Sequence, residues 1–88
     1  MKIKNGLVTR KINDFYAVVP VDKKHIDFNG MMTLNHSGKL LYDALKEDVS
    51  KQDLVKLLCD TYEIDDMQAR KDVDIFIEKL EKHHLLEK

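Results

Sequence analysis

Residues 31–45, MMTLNHSGKLLYDAL, decide the fold, because a short apolar segment passes there directly into a helix. The first four residues are apolar with one Thr, which is typical of a strand. Asn35 is a strong helix N-cap, since its side-chain oxygen accepts from an unpaired backbone N–H in the first turn. Gly38 costs the helix about 1 kcal/mol relative to Ala. We expect a glycine here because a larger side chain would collide with the preceding strand. Apolar residues then recur on one side of a helix, at Leu40, Leu41, Ala44 and Leu45.

Two strand-like segments come before this corner. Residues 7–13 predict a first strand, and FYAVVPV at residues 15–21 is the strongest strand pattern in the chain. The Asn13-Asp14 link between them favours an antiparallel hairpin, because both side chains tolerate turn geometry. Pro20 has no backbone N–H, so the second strand ends there or lies at an edge there. Residues 22–30 are typical of a connecting loop, and residues 1–5 of a polar lead that we expect to be loose.

Three helices are predicted after the corner. The first lasts to about Glu47, and Ser50 opens the second with Asp53 in a variant of the capping box. Asp65 and Gln68 form a capping box for the third helix, which reaches about residue 83. The apolar stripes of the second and third helices are Leu54, Leu57, Leu58 and Thr61, then Ala69, Val73, Phe76, Ile77 and Leu80. Leu85 and Leu86 are expected to fold a short tail back onto the core.

This order of elements predicts an α+β fold. Strands followed by helices indicate a three-stranded antiparallel sheet with three helices after it, a winged helix-turn-helix. The length of 88 residues suits a single domain over residues 1–88.

Composition excludes several classes of partner. The net charge is −1 although 35% of residues are charged, so no basic excess draws the chain to nucleic acid or to an anionic membrane. The single cysteine, Cys59, excludes an internal disulfide and favours a reducing compartment. The chain has no long apolar run, and its first residues lack the pattern of a signal peptide. We therefore expect a cytoplasmic protein.

The sequence does not favour an enzyme. Its acidic residues alternate with lysines as solvated helix faces do. His83 and His84 are adjacent on a helix and point about 100° apart, so they do not chelate one ion easily. Cys59 has no orienting His or Asp placed by the sequence, and no glycine-rich phosphate loop is present. We expect no catalytic residues, no metal and no cofactor.

A winged-helix transcription regulator is the runner-up function. Between residues 65 and 82 the third helix carries six acidic and four basic residues, a net −2 on the element that would enter the major groove. Phosphate contacts supply most non-specific affinity for DNA, so this charge argues against nucleic acid. A peptide partner is favoured instead, because a small sheet beside a long helix offers an open strand edge and a groove. Met31 and Met32 suit such a surface, and Ile75 lies where a charged residue is expected.

The chain resembles the PqqD family over residues 7–86. One motif is L-N-x-[ST]-G followed by an aliphatic–aromatic pair and a Leu, present here as Leu34, Asn35, Ser37, Gly38, Leu41, Tyr42 and Leu45. The second is D-V-x-x-F-[IL]-x-x-L, present here as Asp72, Val73, Phe76, Ile77 and Leu80. Tyr42 departs from the family, which often has Trp at that position.

The resemblance implies a non-catalytic peptide chaperone. In that family the leader of a ribosomally made precursor peptide is added as a strand to the third strand, beside the third helix, and is delivered to a modifying enzyme, commonly a radical S-adenosylmethionine enzyme. Carried over by position, the peptide-binding residues are Met31, Met32, Thr33, Leu34, Asp72, Ile75, Phe76 and Lys79. A subunit that contacts only its enzyme stays open as a third interpretation. A monomer and a dimer both stay open too, as does whether the pathway makes pyrroloquinoline quinone or another modified peptide.

Overall fold

The computed structural model of the chain describes residues 1–21 and 32–87. The elements are β1 (Leu7–Ile12), β2 (Phe15–Pro20), β3 (Met32–Leu34), α1 (His36–Ala44), α2 (Lys51–Tyr62) and α3 (Asp66–Lys82). The predicted α+β order, three strands followed by three helices, is confirmed. Met31 and the predicted loop at residues 22–30 lie outside the described residues.

The three strands form one antiparallel sheet in the order β1-β2-β3. Asn13 has a φ of 54° in the two-residue turn that joins β1 to β2, a conformation that Asn tolerates better than most residues. Ile12 pairs with Phe15 directly across this turn, so the predicted hairpin is confirmed. The central strand is β2, and it ends at Pro20. Of the two places expected for Pro20, the strand end is therefore the correct one.

The corner between β3 and α1 has the predicted cap. The backbone N–H of Gly38 donates to Oδ1 of Asn35 at 2.8 Å. A Cβ atom at Gly38 would lie 3.2 Å from that oxygen and 3.4 Å from Cβ of Leu34, so the glycine is required by the close approach of strand and helix. The prediction that α1 lasts to Glu47 is wrong, since the helix ends at Ala44. The N–H groups of Lys46 and Glu47 bond three residues back instead of four, which tightens the chain into turns.

The two later helices begin at their predicted caps. Ser50 and Asp53 form the reciprocal capping box at the start of α2. Asp65 accepts from the backbone N–H of Gln68 at 2.8 Å at the start of α3. The other half of that predicted box is wrong, because the Gln68 side-chain amide donates forward to Asp72 at 2.9 Å.

The end of α3 turns the chain back into the core. His84 adopts a left-handed φ of 57°, and the N–H of Leu85 bonds the carbonyl of Leu80 at 2.9 Å, which is the Schellman pattern. Leu85 is fully buried, so the predicted fold-back of the tail is confirmed. The prediction of a loose N-terminal lead is wrong. Ile3 is buried, and its N–H donates to the carbonyl of Leu45 at 2.8 Å.

The core lies between the inner face of the sheet and the three helices. Its largest fully buried side chains are Tyr42, Met32, Leu45, Leu54, Leu58, Leu80 and Leu85. Across residues 1–21 and 32–87, no helix combines the length and apolar character that crossing a membrane requires.

Candidate functional site

Among the described residues β3 is an outer strand at one margin of the sheet, and the backbone of its central residue, Thr33, is directed outward. The N–H of Val21 donates to the carbonyl of Gly6 at 2.7 Å, so the odd-numbered residues of β2 bond toward β1. Ala17 is one of these residues, so its N–H and carbonyl bond to β1 and not to β3. On the β3 side, Ala17 lies opposite Thr33, and the two residues exchange no backbone hydrogen bond. Thr33 therefore directs both its N–H and its carbonyl away from the sheet.

One flank of α3 runs beside this margin. The ammonium group of Lys79 donates to the carbonyl oxygen of Thr33 at 3.2 Å. Asp72, Ile75 and Lys79 recur at spacings of three and four residues, so they share a face of the helix. Ile75 is 60% exposed on that face, whereas Phe76 is buried at the boundary between this flank and the core. The exposed apolar side chain predicted at Ile75 is thus present and faces the strand margin.

Together the strand and the helix enclose a groove of about 440 Å³. Its floor is apolar, because Leu41, Leu58 and Phe76 contribute core side chains to it. Beyond the N-cap residue Asn35 a second depression of about 410 Å³ continues the groove between Tyr62 and Ile64. The arrangement suits an extended chain that lies along the margin and places apolar side chains on the floor.

The groove carries two charged side chains, Asp72 and Lys79. On α1, burial of the Asp43 carboxylate is outweighed by hydrogen bonds from Lys39 and Lys46, which hold its pKa below the usual value. Within residues 1–21 and 32–87, Asp72 and Lys79 form no ion pair. In that part of the chain, Asp72 accepts from the Gln68 amide and Lys79 donates to the backbone carbonyl of Thr33. The groove thus presents one carboxylate and one ammonium group that a ligand could neutralise.

The structure brings together six of the eight residues predicted for the site. The groove is lined by Thr33, Leu34, Asp72, Ile75, Phe76 and Lys79. Met32 belongs to β3 but its side chain is buried in the core, and Met31 lies outside the described residues. The lining residues absent from the prediction are Asn35, Ser37, Gly38, Leu41 and Leu58. The apolar stripe of α2 and the glycine at the corner were the signals that could have identified Leu58 and Gly38.

Comparisons with known proteins agree with this architecture. The family model described as "Coenzyme PQQ synthesis protein D (PqqD)" matches residues 16–86. A structure of TbiB1 in complex with the TbiA(beta) leader peptide is 23% identical, with 99% of this chain and 95% of that chain covered and a TM-score of 0.75. A lasso peptide synthetase B1 complexed with the leader peptide is 14% identical, with 96% and 93% covered and a TM-score of 0.71. No curated protein matches the chain by sequence.

Proposed function

Because the chain belongs to the PqqD family, we propose that it is a peptide chaperone with a single recognition domain. It binds the leader of a ribosomally made precursor peptide as an added strand on β3 and presents it to a modifying enzyme of the radical S-adenosylmethionine class. The proposal is supported by two proteins of the same fold, whose structures are complexes with leader peptides. The bond-making chemistry belongs to the partner enzyme. Delivery takes place in the cytoplasm, where the free thiol of Cys59 stays reduced.

The observation that carries this proposal is the outward backbone of Thr33 beside the groove. An added strand opposite Thr33 donates its N–H to the Thr33 carbonyl and accepts the Thr33 N–H, as neighbouring strands do in a sheet. Alternate side chains of the peptide then point to the groove, where Ile75 and Phe76 meet them. Backbone hydrogen bonds supply affinity for any extended chain, and the groove supplies the preference for particular side chains.

The margin and the helix flank match in length. Asp72 and Lys79 are seven residues apart, which is about 10.5 Å along the helix axis at 1.5 Å per residue. An extended peptide covers that distance in about three residues at 3.3 Å each. A short segment of the leader therefore contacts the margin and the whole flank at the same time.

Proline substitutions at the two sheet margins test the proposal. Thr33→Pro removes the outward N–H of β3, and a proline is tolerated at an edge position whose N–H faces away from the sheet. We expect the Kd for the synthetic leader of its precursor peptide to rise about tenfold, the value of one net hydrogen bond of about 1.4 kcal/mol. Isothermal calorimetry measures the Kd, and circular dichroism shows that the variant is folded.

Thr9→Pro is the matched control. Thr9 pairs with Val18, an even-numbered residue of β2, so its N–H is also directed outward, but at the β1 margin. We expect this variant to bind the leader as the unmodified protein does. Equal affinity of a folded Thr33→Pro variant and the unmodified protein would contradict strand addition to β3.

A further inference from the structure

The two ends of the groove carry opposite charges that the described protein leaves unneutralised. Two other carboxylates on α3 are paired with cations, Asp66 with Arg70 and Asp74 with Lys51 of α2. Within residues 1–21 and 32–87, Glu78 has no ion-pair partner either, but it does not line the groove. The polar partners of Asp72 and Lys79 are a neutral amide and a backbone carbonyl. Both side chains line the groove, so both are available to a bound chain.

Lys79 contacts the backbone oxygen of Thr33, which is also an acceptor for an added strand. Its ammonium group lies 3.2 Å from the Thr33 carbonyl oxygen, which is the acceptor for a peptide N–H at this position. A backbone carbonyl oxygen has two lone pairs, so it can accept a peptide N–H while the helix keeps the ammonium group beside the bound peptide. Where the peptide covers this ammonium group and excludes water, the charge requires a polar partner. A peptide carboxylate at this end of the groove supplies that partner through a charge-assisted hydrogen bond.

The positions of these two charges along the groove determine the order in which a bound peptide passes them. Asp72 lies with Asn35 and Ser37, beyond the C-terminal end of β3, and Lys79 lies beside Thr33. All strand pairs in the sheet are antiparallel, so the added strand runs opposite to β3. Its N-terminal residues then pass Asp72, its middle residues pass Ile75, and its C-terminal residues pass Lys79.

We propose that the groove selects extended peptides that carry, from N to C, a basic residue, an apolar residue and an acidic residue. The basic and acidic residues are about two to four positions apart, because the two side chains on the helix are separated by about three residues of an extended strand. This inference rests on the proposed function, since it assumes that the ligand is added to the margin of β3.

A library of displayed random 12-residue peptides, selected on the immobilised full chain, tests this order. We call a peptide a strand-edge binder when it binds the unmodified protein but not the Thr33→Pro variant. Among these binders, we expect peptides with a basic residue before an acidic residue to outnumber those with the reverse order by about threefold or more. That ratio corresponds to two exposed ion pairs of modest strength.

A charge-exchanged variant and a matched control complete the design. In the variant with Asp72→Lys and Lys79→Asp, we expect the preferred order to reverse. The control carries Lys71→Glu and Glu78→Lys, which are also seven residues apart on α3 but do not line the groove, and we expect it to keep the original order. Strand-edge binders without a charge order, or with the same order in the exchanged variant, would overturn the inference and leave strand addition intact. A selection in which no binder depends on Thr33 would contradict the proposed function itself.

Discussion

The two margins of the sheet differ in what lies beside them. β1 has six residues, of which four are exposed, and it carries Arg10 and Lys11 at its centre and end. β3 has three residues, of which two are buried, and a flank of α3 faces its single exposed residue, Thr33. Lysine and arginine on an edge strand oppose the addition of a further strand. The two margins therefore differ in their surroundings, because a groove lies beside β3 and charged side chains lie on β1.

The largest effect expected from this difference concerns stability. Leu58 is 1% exposed and belongs to both the groove floor and the core, whereas Val8 on β1 is 41% exposed. Leu58→Ala should lower the free energy of unfolding by about 2–5 kcal/mol, because it removes buried apolar atoms and leaves a cavity. Val8→Ala should lower it by less than about 1 kcal/mol. Urea unfolding measures both values, and similar losses would show that the floor of the groove is not part of the core.

A smaller effect is expected at high pH on the β1 side of the core. Tyr42 lies beside Gly6 and Leu7, and burial, with a further contribution from Asp43, raises its pKa to about 12. The unfolded chain loses this proton near pH 10 while the folded chain keeps it, so unfolding becomes more favourable between pH 10 and 12. The free energy of unfolding falls by at most about 1.4 kcal/mol per pH unit in this range, and this loss is absent below pH 10.

Tyr42→Phe isolates the contribution of this phenol from those of all other ionisable groups. As the pH rises from 10 to 12, the unmodified protein should lose unfolding free energy relative to Tyr42→Phe. A difference for Tyr42→Phe that does not change with pH would mean that the phenol also ionises readily in the folded state.

The smallest expected effect concerns the helix flank of the groove. Ile75→Ser should weaken leader binding about fivefold to tenfold, because partial burial of an isoleucine side chain contributes about 1–1.4 kcal/mol. Stability should hardly change, since Ile75 is 60% exposed in the free protein. Met67→Ser is the control, because Met67 is 81% exposed on α3 and does not line the groove. Calorimetry that shows the same Kd for both variants would remove Ile75 from the site.

Local chemistry made most of the fold predictable. Asn35, Ser50 and Asp65 each cap the helix that the sequence assigned to them, because a cap requires only a short side chain and the next three residues. Four residues of the predicted stripe of α3 are buried and Ile77 is half-buried. This stripe was predictable for a similar reason, since its period of three and four residues is visible without a structure. The assignment to the PqqD family, made from the order of such local motifs, is also confirmed.

The incorrect predictions have two causes: a partner distant in sequence, and a choice between two nearby hydrogen-bond acceptors. The sequence predicts a loose lead at Ile3, but Ile3 packs in the core and bonds to Leu45, 42 residues further along the chain. The sequence predicts a capping box at Gln68, but the Gln68 side chain bonds Asp72 in the next turn of the helix. Periodicity gives no information about which of two available acceptors a polar side chain selects.

The order of strands and helices, the caps and the identity of the apolar faces were determined by the sequence itself, because each depends on residues within one or two turns of one another. Only the tertiary structure decided that the backbone of Thr33 is directed outward, that Lys79 reaches its carbonyl, and that Asp72 lies at the opposite end of the groove. These relations depend on the register of the sheet and on how α3 packs against it. Both are set by contacts between residues far apart in the chain, which a local pattern does not contain.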